Sequence, residues 1–250
     1  MRPDVDAQTD AASPPVVLVH GWGGSFAATW QRSGFTDLLA DAGRDVIGID
    51  LLGHGTAPKP HDPEAYDDLT QRVVEALPDR PVDAIGFSLG AHTLLRTAIA
   101  DPSRFRRLVL AGLGRNVFES DDAMTRRIVA AIAGGGDIPD IEPDDNDAAD
   151  NVARLFAQYA SQPGNDPVAL AAIMSRRAAA ESLREVDLAR VVCPVLVVVG
   201  DNDFVLPADR LVAALPDARL RTLRRTDHFA TPESFDFIDA ALEFIDAVPR

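Results

Sequence analysis

Cysteine is almost absent from this 250-residue chain: Cys193 stands alone, so no disulfide can form within it. Its place before Pro194, at the start of an apolar run, suits a small buried residue rather than a nucleophile. Apolar runs are short, and none nears the roughly 20 residues of a membrane span; residues 195–199 are far too few. Residues 1–15 are polar and Pro-containing, with no apolar stretch of the signal-peptide kind. They read as a flexible tail, and the expected location is cytoplasmic. Basic residues are scarce as well, 24 Lys and Arg against 39 Asp and Glu, a formal charge of −15. That balance excludes nucleic acid as a partner, because a phosphate-binding face needs clustered cations. It also disfavours an anionic membrane surface, and leaves a neutral or cationic small molecule as the easier ligand. A P-loop is excluded by the lack of Gly-Lys-Ser/Thr, and neither a Cys pair nor H-E-x-x-H offers a metal site. No metal and no cofactor are expected, and nothing in the sequence fixes the oligomeric state.

What is present is a rhythm of short β-branched runs and helical patterns. Residues 16–19, 46–49, 82–85, 108–111 and 195–199 read as strands, mostly with continuous apolar character, as a parallel sheet covered on both faces requires. Residues 219–223 alternate polar and apolar, as an edge strand does. Helices are predicted over 30–42, 65–76, 89–100, 208–215 and 232–247, the last opening on Pro232 and Glu233. Repeating strand–helix units give an α/β fold: a doubly wound, mostly parallel sheet of about six strands with helices on both faces. From 115 to 187 the rhythm fails. Residues 121–133, 148–160 and 167–180 look helical and no strand intervenes, so this stretch is read as a helical cap inserted between core segments 16–114 and 188–250. The acidic stretch 137–150 reads as a solvated loop.

Chemistry enters at Ile85-Gly86-Phe87-Ser88-Leu89-Gly90-Ala91, which ends a strand and opens a helix. This is G-x-S-x-G in its required setting. A serine on so sharp a turn sits in strained backbone, and side chains two positions to either side would clash; Gly86 and Gly90 remove them. The turn aims the amide of Leu89 and the positive end of the helix at a developing oxyanion. After the first strand comes Val19-His20-Gly21-Trp22-Gly23-Gly24-Ser25, whose Trp22 amide is the candidate second donor. A dinucleotide-binding loop would want glycine where Phe26 stands. Downstream, residues 195–199 run into Gly200-Asp201-Asn202-Asp203, followed some 25 residues later by Asp227-His228-Phe229. A carboxylate just past a strand end can receive the Nδ1 proton of such a histidine, and Asp201 and Asp203 both qualify by position.

Together these pieces resemble the α/β-hydrolase fold superfamily, in its capped esterase, lactonase and carbon–carbon hydrolase group. The matching segments are His20-Gly21-Trp22-Gly23, Asp50-Leu51-Leu52-Gly53-His54-Gly55, Gly86-Phe87-Ser88-Leu89-Gly90, Cys193-Pro194 through Asp203 and Pro207, and Asp227-His228-Phe229. The resemblance implies Ser88 as nucleophile, His228 as base, Asp203 as the acid of G-x-x-D-x-x-x-P, and oxyanion amides from Trp22 and Leu89. It departs from the group in two ways. Only 15 residues precede the first strand, too few for the usual leading hairpin, and Asp227 stands where glycine usually precedes the histidine.

Phe26, Phe87, Phe156, Phe204 and Phe229 are the candidate lining of an acyl pocket. His20 and His54 read as loop-holding residues, His92 as packing or surface, and His61 as solvated. Arg126, Arg127, Arg176 and Arg177 are candidates for holding a substrate carboxylate. The function expected is acyl transfer to water on a small or medium ester. An enol-lactonase or carbon–carbon bond hydrolase using the same three residues is the alternative within the family. A binding protein that merely keeps the scaffold is the alternative from another class.

Overall fold

The computed structural model describes residues 13–135, 147–179 and 182–249. Residues 1–12 of the expected tail, residues 137–146 of the acidic stretch and the Arg177 side chain lie outside the described residues. Six strands form one sheet: β1 Val16–Val19, β2 Val46–Ile49, β3 Val82–Phe87, β4 Phe105–Ala111, β5 Val195–Gly200 and β6 Ala218–Leu223. The order is β2-β1-β3-β4-β5-β6 and every pairing is parallel, so the sheet is wholly rather than mostly parallel. β1 lies between β2 and β3, so the direction of winding reverses there. Crevices of open α/β sheets form at the carboxyl ends of strands flanking such a switch point. Here those ends carry the Gly-rich loop after β1 and the Ser88 turn after β3, with Val19 in register with Gly86.

Strand alternation divides the core in two. Val17, Val19, Ala84, Leu108, Leu110 and Val197 face one cluster. Val16, Leu18, Ile85, Phe87, Val109 and Val198 face the other, where Trp30, Phe35 and Phe237 pack ring against ring. Both faces of the central strands are therefore apolar, which is why their sequences run continuously. β6 is an edge and residues 219–222 are all exposed, Leu220 included; Arg219 and Arg221 blunt that edge against further pairing.

Helices flank the sheet as α1 Phe35–Asp41, α2 Thr70–Ala76, α3 Leu89–Ala100, α8 Asp209–Ala214 and α9 Phe235–Phe244. Four are shorter than their apolar periodicity predicts, α8 by only one residue at each end. A π-helical turn, Ala27–Gln31, is separated from α1 by Gly34 at φ 76°. Asp68 accepts the Thr70 amide at 2.8 Å and thereby starts α2 anew after the 3-10 turn Pro63–Tyr66. Pro232 sits in a separate 3-10 turn, and extended Ser234 intervenes before α9. Between β4 and β5 the described residues hold no strand. They form α4 Asp122–Ala133, α5 Asp147–Ala160, α6 Pro167–Ala179 and α7 Glu185–Leu188.

One buried charge anchors the sheet. Asp83, fully buried in β3, accepts from Arg106 Nε at 2.9 Å and pairs with Arg44. Arg44 in turn donates to the Ile245 and Pro14 carbonyls at 2.8 and 2.9 Å. Removing one partner from such a pair strands the others and costs about 3–5 kcal/mol.

Candidate active site

Ser88 takes φ 49° and ψ −108° between β3 and α3, and its amide donates to the Ala111 carbonyl at 2.8 Å. A side chain at 88 reaches this conformation only if the chain on both sides can approach closely. A Cβ on Gly86 would lie 2.6 Å from the Ala91 nitrogen, and one on Gly90 would lie 2.4 Å from the Val19 carbonyl. The two glycines thus let α3 pack against β3 and against the end of β1.

Three side chains from separate parts of the sequence meet at this turn. Ser88 Oγ lies 2.9 Å from His228 Nε2, and His228 Nδ1 lies 2.9 and 3.0 Å from the two Asp203 oxygens. Asp203 and His228 are almost fully buried, so their attraction is little screened by water. Asp203 Oδ1 also accepts the Val205 amide at 3.0 Å, which fixes the carboxylate plane. Asp201 lies elsewhere. It is exposed and accepts the Thr226 amide at 3.2 Å; backbone bonds at Arg225 and Thr226 hold its carboxyl below the usual range. Asp227 is also exposed and accepts the Ala230 amide at 2.9 Å, so it closes the turn after His228.

The loop after β1 is held by its histidine. His20 Nδ1 bonds the Gly21 carbonyl at 2.7 Å, and Nε2 accepts the Leu51 amide at 3.1 Å, an arrangement that requires the neutral ring. Burial pushes its pKa down, outweighing the Gly21 bond and the Asp50 charge. His54 packs beside it, 4.9 Å between ring centres, and burial holds its pKa down at about 3. Asp50 ties the same region together, accepting the Phe26 amide at 2.7 Å and the Thr56 amide at 2.8 Å. Burial opposes its charge, but these bonds prevail and keep the carboxyl below the usual range.

A cleft of about 860 Å³ opens over Ser88, with Trp22, Leu89, Phe156, Phe204 and His228 in its lining. Of the candidate pocket residues, Phe156 and Phe204 line this cleft, and Phe26, Phe87 and Phe229 lie outside its lining. Phe26 covers Gly48 of β2. Phe87 continues the Ile85 face of β3 and buttresses the imidazole from below, 5.0 Å between centres. Phe229 stacks on Tyr159 of α5 at 4.9 Å. Phe204 lies 4.5 Å from His228, and Phe156 lies 5.0 Å from Trp22. Cys193 is buried, and burial pushes its thiol up to about 11.

Some lining residues escaped sequence reasoning. His92 and Arg96 line the cleft, and with Ser88 they form an i, i+4, i+8 ladder on one side of α3. That spacing was the available signal. Of the arginines singled out, Arg176 reaches the cleft and pairs with Asp67, whereas Arg126 and Arg127 lie outside the lining. Arg115 also lines it, donating to the Phe204 carbonyl at 3.3 Å. His61 is exposed yet paired, its Nε2 2.8 Å from Asp166 of the helical segment. Among the described residues no group of three or more His, Cys, Asp or Glu is placed to hold a metal ion. Among the same residues no helix is long and apolar enough to cross a membrane.

Six parallel strands with a serine-bearing turn at their switch point make this an α/β enzyme of the hydrolase type. The chain belongs to the alpha/beta hydrolase family, which it matches over residues 16–244. A stretch of 113 residues is 40% identical to a pimeloyl-[acyl-carrier protein] methyl ester esterase of Methylococcus capsulatus. That match covers 45% of this chain and only 42% of that relative. A longer match, 26% identical over 247 residues, joins 89% of this chain to 83% of a 2-hydroxy-6-oxononadienedioate/2-hydroxy-6-oxononatrienedioate hydrolase of Cupriavidus pinatubonensis. Among solved structures, the enol-lactonase of Burkholderia xenovorans shares the fold with a TM-score of 0.69 at 20% identity, over 94% of this chain and 92% of that one.

Proposed function

We propose that this enzyme is a serine hydrolase that cleaves a small or medium carboxylic ester through an acyl-enzyme intermediate. The observation that carries the reading is the unbroken line from Ser88 Oγ through the His228 ring to Asp203, with links of 2.9–3.0 Å, at the floor of the cleft. Ser88 attacks the ester carbonyl as His228 Nε2 takes its proton. Asp203 accepts the Nδ1–H bond, which selects the tautomer whose Nε2 is free to act as base and stabilises the imidazolium. The amides of Trp22 and Leu89 receive the oxyanion; Leu89 opens α3, so its N–H has no acceptor within the helix. His228 then protonates the departing alkoxide and activates a water, which releases the acid and restores Ser88. Residues 115–187 serve as the cap that limits water and shapes the acyl site.

The charge of the cleft supports a neutral ester. Asp67, Asp68, Glu119, Asp121 and Asp122 line it against Arg96, Arg115 and Arg176. On a chain of net charge −15, a dianion meets a repulsive field there. One observation favours a second reading, carbon–carbon bond hydrolysis: a dienedioate hydrolase aligns with 89% of this chain over 83% of its own length. Both readings are tested by one panel, comparing p-nitrophenyl butyrate, an enol-lactone and a 2-hydroxy-6-oxodienedioate. The ester reading expects kcat/KM on the butyrate at least about tenfold above that on the dienedioate, the discrimination that one or two kcal/mol supplies. The reverse order transfers the assignment to carbon–carbon cleavage.

A further inference from the structure

The loop carrying the Trp22 amide is held from two sides. His20 secures its first half from the core. Its second half is secured by the helical segment more than 130 residues away in sequence. Asn165, in the turn between α5 and α6, donates from Nδ2 to the Gly23 carbonyl at 2.8 Å. The same nitrogen donates at 2.8 Å to the carbonyl of Tyr159 in α5. Its own amide donates to the Gln162 carbonyl at 3.1 Å, which sets the side chain on a closed turn. Nearby, Trp22 Nε1 donates to the Leu170 carbonyl of α6 at 3.1 Å, and its ring rests on Phe156. Three attachments from one unit thus converge on two consecutive loop residues.

We propose that Asn165 is a positioning residue for the reaction: it clamps the Gly23 peptide so that the neighbouring Trp22 amide stays aimed at the oxyanion. The inference rests on the acyl-transfer reading above. An oxyanion donor acts only if it is preorganised, and its removal costs about 10²–10³ in rate. A misplacement of about 1 Å costs on the order of 10². Both hydrogens of the Asn165 amide go to backbone carbonyls, one in the loop and one in α5, so the side chain ties the loop to the helical segment directly. Neither bond contacts substrate, so ground-state binding does not depend on them.

The test compares wild type, Asn165→Ala and Asn165→Asp on p-nitrophenyl acetate. Inhibition by phenylboronic acid, which forms a tetrahedral adduct on a serine, and by planar benzoate is measured beside it. Asn165→Ala is expected to lower kcat by about 10- to 100-fold, in keeping with partial loss of one donor, with KM changed less than about threefold. Boronate affinity falls by the same factor while benzoate affinity holds. Asn165→Asp, which sets a carboxylate against two carbonyls, does at least as much damage. Arg154→Ala, which removes an exposed partner of Asn151, leaves all four quantities unchanged. Should Asn165→Ala fail to fold, the near-isosteric Asn165→Asp decides, because it removes both donated hydrogens while keeping the size of the side chain, and it is expected to show the same split. A folded Asn165→Ala, or failing that Asn165→Asp, with wild-type kcat and boronate affinity overturns the clamp. Wild-type turnover that is absent, or that persists in Ser88→Ala, overturns the underlying acyl-transfer reading instead.

Discussion

Replacing Ser88 with alanine is expected to slow ester hydrolysis by about 10⁵–10⁶-fold in kcat, the scale on which serine nucleophiles are lost in other hydrolases. The substitution removes one oxygen and little else. Alanine bears the same strain as serine at φ 49°, and the Ser88 amide bond to Ala111 is a backbone bond that survives. The flanking Gly86 and Gly90 still permit the close approach of α3. Melting temperature is therefore expected to stay within a few degrees of wild type, so the lost rate reports chemistry. What remains is the part supplied by binding and the oxyanion amides, about 10³–10⁴ over water. Steady-state kinetics on p-nitrophenyl butyrate, with a calorimetric scan of the same preparations, checks both halves.

Asp203→Asn is expected to lower kcat by about 10⁴-fold while leaving the fold in place. The reason lies in how the carboxylate is used. Oδ1 accepts both the Val205 amide and His228 Nδ1, whereas Oδ2 faces His228 alone. Asparagine keeps its oxygen on Val205 and turns its NH₂ toward Nδ1. The ring must then carry its proton on Nε2, the atom that has to accept one from Ser88. The base is present but in the wrong tautomer. Asp201→Asn is the informative contrast, since that side chain is exposed and serves only the Thr226 turn; a change of less than about threefold is expected, as for most surface substitutions. Equal losses in the two variants would mean that the acid has been misassigned.

Much of this arrangement was legible in the sequence because local chemistry demanded it. Gly86 and Gly90 are readable because no other residue lets a helix turn back so closely on a strand. The four inner strands β1, β3, β4 and β5 are readable because burial on both faces leaves a mostly continuous apolar run, whereas the edge strand β6 leaves four of its six residues exposed. The losses have physical causes too. Helix periodicity continues through Gly34 and past Asp68, but a left-handed residue and a competing side-chain cap end the helices there. Phe87 and Phe229 each adjoin a residue of the Ser88–His228 pair, yet backbone geometry turns Phe87 to the Ile85 face of β3 and stacks Phe229 on Tyr159. His92 reads in isolation as a packing or surface residue and Arg96 gives no signal of its own; their spacing from Ser88 along α3 carries the information. Asp83 gave no local signal, because its partners Arg44 and Arg106 come from other elements.

The choice between Asp201 and Asp203 shows the same limit from the other side. Both sit just past β5, and position along the chain does not separate them. The turn does: Val205 pulls Asp203 inward beneath His228, and Thr226 holds Asp201 at the surface. The acyl-transfer reading takes Asp203 as the acid and assigns no step to Asp227, whose exposed carboxylate accepts the Ala230 amide.

The most direct measurement is the intact mass of the protein after brief exposure to a fluorophosphonate, followed by fragmentation to locate the adduct. A hydroxyl activated by a neighbouring imidazole is phosphonylated in seconds to minutes, one equivalent per chain, and the account places that mass on Ser88 with His228→Ala labelled far more slowly. Stoichiometric labelling at another residue, or a wild-type protein that stays unmodified while folded, would contradict it.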